Sequence, residues 1–172
     1  MAASRDLGMV QWVRPEALGQ PGQRRFRLAA LSQGGEYGAI WLEKEQMSAL
    51  AEALRKVLAD EGYEHRETPP PDDRLEPPVF PLDADVDLRA VQLSMGINQG
   101  DRRIVLLASD NADPNADEAT TVRFEFDYAS GYQLREEIAS VVAAGRPVCP
   151  LCSAPMNPEG HVCVRSNGHH PD

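Results

Sequence analysis

Hydrophobic and polar positions change period several times along the chain, and each change marks an element. Val10 to Val13 is a short apolar run containing Trp12 that ends at Arg14-Pro15, and it is expected to be a first strand. Gly19-Gln20-Pro21-Gly22-Gln23 then reads as a turn, with proline fixing one backbone angle and glycine allowing a positive one. Arg25 to Leu31 sets Phe26, Leu28 and Ala30 against Arg25, Arg27 and Ala29, the period of a half-buried strand. Ser32 to Glu36 turns the chain and Tyr37 to Leu42 returns, which predicts a hairpin. From Glu43 the period becomes helical: Met47, Leu50, Leu54, Val57 and Leu58, with Ala51, form one stripe. Glu43 and Glu45 suit the positive end of that helix, and Gly62 lies just past its end.

A second unit follows the same plan. Val86 to Ile97 alternates through Leu88, Ala90, Val91, Leu93 and Met95, Asn98 to Asp101 turns, and Arg103 to Ala108 returns as an apolar strand. Thr120 to Phe126 is a further strand, with Val122, Phe124 and Phe126 on one face. A helix with the stripe Leu134, Ile138, Val141 and Val142 comes next and is stopped by Gly145-Arg146-Pro147. The expected fold is α+β: an antiparallel sheet of hairpins with two helices on one face, plus a small C-terminal zinc-binding knuckle. The expected organisation is a strand-hairpin-helix unit over 1–63, a Pro-rich acidic linker over 64–85, a strand-rich unit ending in a helix over 86–145, and a tail over 146–172. The two units are expected to pack as one domain. The linker holds Pro69-Pro70-Pro71 and Pro77-Pro78, which sustain neither helix nor sheet, and reads as a solvated spacer.

Composition narrows the class. With 172 residues, 42% of them hydrophobic, the chain can bury a real core. Its net charge of −10, with Lys and Arg scattered, points away from nucleic acid and anionic membranes, since phosphate contacts need concentrated positive charge. Met1 to Met9 lacks the apolar core of a signal peptide, and no run has the length of a membrane span, so a cytoplasmic protein is expected.

The chemistry concentrates at the C-terminal end, where all three cysteines and one of the four histidines fall within fifteen residues. Cys149-Pro150-Leu151-Cys152 lets two thiolates converge on one ion, and His161-Val162-Cys163 places two more ligand atoms on one side of an extended segment. Cys149, Cys152, His161 and Cys163 are therefore the expected ligands of a structural zinc, with His169 and His170 as substitutes for His161. Four protein ligands leave no open position for water. A redox dithiol would open a helix rather than follow one and leaves His161 and Cys163 without a role; a disulfide strands the third cysteine.

Other candidates are weaker. The Gly19–Gln23 loop lacks the spacing of a phosphate cradle, and Asp110, Asp113, Asp117 and Glu118 lack that of a calcium loop. Arg24, Arg25 and Arg27 beside the first turn are candidate anion contacts, set against the plainer reading of a solvated outer strand face. No local catalytic motif is present, and His65 stands alone.

The run Gly145-Arg146-Pro147-Val148-Cys149-Pro150-Leu151-Cys152, then Pro155 to Arg165 with Asn167-Gly168, resembles the C-terminal signature of an uncharacterised actinobacterial domain-of-unknown-function family with a zinc-ribbon-like tail. Gly19 to Phe26 and Leu42-Glu43-Lys44-Glu45-Gln46 resemble that family's N-terminal strand and helix start, so the likeness spans nearly the whole chain. The chain departs from the pattern at Ser153 and Val164, which bear on loop geometry more than on ligation. The resemblance implies no activity. It implies gene neighbours of histidine-phosphatase-like and kinase-like type.

Two functional classes follow. The first is a non-enzymatic zinc-containing protein-binding or adaptor module, whose tail presents Arg146, Arg165 and the loop Ser153 to Gly160; protein is the expected partner because the tail's charge is balanced. The alternative is an enzyme acting on a small phosphorylated or anionic compound, with Arg24 and Arg25 as contacts, Asp127 or Tyr128 in a cleft, and the zinc purely structural.

Overall fold

A computed structural model describes residues 3–20, 22–63, 65, 78–144, 149–152, 154, 156, 162–163 and 165. Seven strands, β1 (Ala3–Leu18), β2 (Arg25–Ser32), β3 (Tyr37–Leu42), β4 (Val86–Arg89), β5 (Gln92–Asn98), β6 (Arg103–Ser109) and β7 (Thr120–Asp127), form one sheet in the order β4-β3-β2-β1-β7-β6-β5. Helix α1 (Lys44–Asp60) follows β3, and α2 (Tyr128–Ala143) follows β7. The architecture is α+β, and the sheet is mostly antiparallel.

Two pairs depart from the expected all-antiparallel hairpins: β1 with β7 and β3 with β4 run parallel. Both join strands far apart in sequence, which hairpin logic does not reach. β1 is also far longer than the apolar run Val10–Val13 implied. Its first half pairs with β7 as far as Met9, and its second half pairs with β2 from Val10 to Leu18. The hand-over coincides with register shifts on both sides and with Gly8 at φ +62, whose amide donates to Asp6 Oδ1 at 2.8 Å. A left-handed residue within a strand strains any side chain other than glycine's, so Gly8 lets β1 change partner. Past Met9 the described ladder leaves β1 paired on the β2 side only, a position where Pro15 is tolerated.

The stretch Val86 to Ile97 divides into two strands rather than one. Ala90 N–H donates to Trp41 O and Val91 N–H to Ser109 O, so adjacent residues bond to opposite ends of the sheet. Since β4 and β5 are the outermost strands and only Ala90 and Val91 join them, the sheet curls until its edges adjoin.

One apolar cluster fills the helical face. Leu28, Ile40, Ile104, Leu106, Val122, Phe124 and Phe126 of the strands meet Met47 and Leu54 of α1 and Leu134 and Ile138 of α2, all fully buried. Burial of each such side chain stabilises by about 1.5–3 kcal/mol. Helix α1 begins at a capping box in which the Glu43 carboxylate accepts from the Gln46 amide and the Gln46 side chain accepts from Glu43 N–H. The Asp127 carboxylate caps α2 by accepting from Ser130 N–H at 2.7 Å. Close approach of α2 to the sheet requires Gly131, where a Cβ would meet Ile104 Cδ1 at 2.6 Å.

The opposite face of β2 and β3 is covered as well. Arg27, only 2% exposed, donates from Nε to Glu16 at 2.6 Å and from its terminal nitrogens to the carbonyls of Pro81 and Phe80. Phe80 packs edge-on against Tyr37, and Tyr37 N–H donates to Asp85 Oδ2 at 2.8 Å. The segment 78–85 is thereby strapped across the sheet, which is why Arg27 faces protein and not water. The proline-rich residues 66–77 lie outside the described residues.

Candidate metal site

Past α2 the described residues form neither helix nor strand, and local turns set the geometry. Cys149 N–H donates to Ala154 O at 2.9 Å, which bends 149–154 into a loop around the first thiol. Arg165 Nη1 donates to Leu151 O at 2.9 Å, tying the segment that carries Cys163 back onto that loop. These two bonds bring Cys149, Cys152 and Cys163 together, with all three Sγ atoms within 4.8 Å of one another. Cys149 and Cys163 are buried and Cys152 half-buried, and no disulfide joins them.

The sulfur spacing tests the metal reading. A disulfide holds its sulfurs about 2.05 Å apart. Zinc–sulfur bonds of about 2.3 Å put two thiolates of a tetrahedron about 3.8 Å apart. Cys149 Sγ and Cys163 Sγ are separated by 3.8 Å. Three close cysteines in this arrangement could hold a metal ion, and they are the one such group among the described residues. The acids of the loop after β6 are occupied otherwise: Asp113 and Asp110 carboxylates accept from the backbone N–H groups of Asn115 and Thr120.

Electrostatics within the trio are uneven. The Cys149 thiol is held below its ordinary pKa, first by the backbone amide of Cys152 and then by that of Leu151. At Cys152 the Ala154 amide pulls downward, but burial and the sulfurs of Cys163 and Cys149 outweigh it and push the thiol up. One thiolate therefore opposes a second, as like charges in a small space must. A cation at the centre would relieve that opposition.

His161 and Arg146 lie outside the described residues, as do the substitutes His169 and His170. Arg165 is beside the cysteines. Arg24 and Arg25 lie elsewhere, lining a pocket of about 330 Å³ with Trp41 and Arg89. Sequence reasoning missed Trp41 and Arg89 because the parallel pairing of β3 and β4 brings them there, and nothing in the local periodicity announces it. Neither Asp127 nor Tyr128 lines that pocket: Asp127 caps α2, and Tyr128 is buried with its hydroxyl donating to Glu61 at 3.1 Å. No helix of the described residues is long and apolar enough to cross a membrane.

The model of a family described as a protein of unknown function, DUF3090, matches residues 6–163 and so takes in both the sheet and the three cysteines. No curated protein matches the chain.

Proposed function

The chain belongs to this family of unknown function, and from that premise we propose that it is a non-enzymatic protein-binding or adaptor module whose tail is stapled by zinc. The observation that carries the reading is the trio of thiols within 4.8 Å. Sulfur-rich tetrahedral sites favour zinc among divalent ions, and His161, two residues before Cys163, supplies the fourth ligand. A closed site of this kind folds a segment that has too little apolar surface to fold alone. A reducing cytoplasm, where thiols stay available to metal, is the fitting location.

Support for a protein partner comes from the surface beside the site. Leu151 and Val162 are 54% and 79% exposed on either side of the buried cysteines, and Arg165 is exposed with them. Exposed apolar side chains next to an arginine match the composition of protein interfaces better than that of a solvated tail.

The test has two parts on the full chain. Elemental analysis of the purified protein is expected to give one zinc per chain, lost in Cys152→Ser and reduced in His161→Ala; full metal in both variants would remove the ligation. A pull-down from native cytoplasm is expected to retain a partner with the wild type that Cys152→Ser does not retain. The same proteins with both would leave the metal as a staple without a docking role.

A further inference from the structure

A second site lies on the sheet itself, at the end where β2 begins and β3 and β4 finish. We propose that this pocket binds the phosphate group of a small molecule. Arg24, Arg25 and Arg89 line it together with Trp41, against a single acidic residue, Glu43. In a chain of net charge −10 that is a local inversion of sign, which concentrates small anions where the surface as a whole repels them.

Two arginines of this pocket, Arg24 and Arg25, differ from most of the others among the described residues. Arg5, Arg14, Arg27, Arg55, Arg103, Arg123 and Arg135 each have a carboxylate partner. Arg24 and Arg25 have no ion-pair partner among the described residues. Moreover, Arg24 Nε is the one buried side-chain nitrogen or oxygen among the described residues without a hydrogen bond. A buried guanidinium nitrogen left unbonded is costly, so Arg24 is held at the pocket with donor capacity that the protein does not use.

The site is also held ready. Arg25 lies 4.4 Å over the Trp41 ring, and Trp41 Nε1 is fixed by donation to the Asp87 carboxylate at 3.1 and 3.2 Å. Glu43 is engaged twice, in the α1 capping box and with Arg89 at 3.4 Å, so its charge is already met. Arg89 is 80% exposed in that long contact, free to turn towards a stronger acceptor.

Phosphate fits this arrangement better than carboxylate does. One planar guanidinium satisfies both oxygens of a carboxylate, whereas the dianionic phosphate group offers three oxygens to donors from separate segments. The volume of about 330 Å³ lies near the lower end for small-molecule pockets, and the acidic body repels a polyanion.

Calorimetric titration of the full-length protein with inorganic phosphate and, in parallel, with glycerol 2-phosphate tests the proposal at matched ionic strength. Saturable one-site binding is expected. Arg24→Gln and Arg25→Gln are each expected to weaken it by about tenfold or more, and Arg55→Gln, on the exposed side of α1, to leave it unchanged. Arg25 is exposed, so its variant keeps the fold even where Arg24→Gln disturbs it. Tighter binding of the ester identifies a phosphorylated small molecule as the ligand, and equal affinity identifies phosphate itself. Absence of saturable heat with both probes, or undiminished affinity in Arg25→Gln, overturns the site.

Discussion

The sheet and the cysteine tail are closed by different physics. In the sheet, buried apolar side chains from six strands and two helices share one cluster with β5 packed half-buried against it, and the backbone is satisfied by ladders. Among the described residues of the tail only Cys149 and Cys163 are buried, and its order rests on a few turns and on sulfur. Burial scales with the amount of chain available, so a short tail gains little from it, whereas coordination of the proposed ion would need only a few ligand atoms. Losses in one region should therefore pass lightly to the other.

The largest effect is expected within the core. Ile104→Ala removes a fully buried side chain shared by β6 and α2 and should cost about 2–5 kcal/mol in denaturant unfolding. Arg27→Ala comes next, at about 2–3 kcal/mol, since it leaves Glu16 and two strap carbonyls without their donor. Protease cleavage near 78–85 should accelerate in that variant, and an unchanged digestion pattern would show that Phe80 and Asp85 hold the strap without Arg27.

Smaller, and dependent on pH, is Tyr128→Phe. Its hydroxyl donates to Glu61, and loss of that bond should cost about 1 kcal/mol at neutral pH. Burial first, and then Glu61, raise the Tyr128 pKa above its ordinary value of 10.0. The folded state therefore keeps this proton longer than the unfolded state does. The contribution is complete below the ordinary value and declines as pH rises through the raised one. Stability followed into that alkaline range should fall more steeply in the wild type than in Tyr128→Phe, and parallel curves would refute the assignment.

The smallest expected effect on the body is the one that separates the regions best. Chelation, or Cys152→Ser, should leave the unfolding midpoint of the sheet within about 0.5 kcal/mol of the wild type while the tail becomes rapidly cleaved by protease. If either treatment destabilises the whole molecule, the two regions are one cooperative unit and the contrast fails.

What the sequence discloses divides along the same line as what is local. Period-two runs such as Phe26-Leu28-Ala30 and the stripe Met47-Leu50-Leu54-Leu58 depend on neighbours a few residues away, and they correspond to β2 and α1. The cysteine trio was legible for the same reason, because its spacing is short. By contrast, β1 opens with the exposed Ala3-Ser4-Arg5-Asp6, which carries no apolar alternation, and its partner β7 lies over a hundred residues away. The break at Ala90-Val91 is hidden because apolar alternation runs on through it while the hydrogen bonds change sides. Burial of Arg27 depends on Phe80 and Pro81, in a stretch whose prolines read as solvated. The arginine pocket needs three separate segments, and no local pattern joins them.

β1 also has a consequence in time. Its second half can zip onto β2 almost as soon as that strand leaves the ribosome, because the two are separated by one turn. Its first half waits for β7, which starts at Thr120. At about 5–20 residues per second the nascent chain carries that open strand edge for on the order of ten seconds. Arg5 and Asp6 sit on the waiting edge, and charged side chains there discourage pairing with another nascent chain.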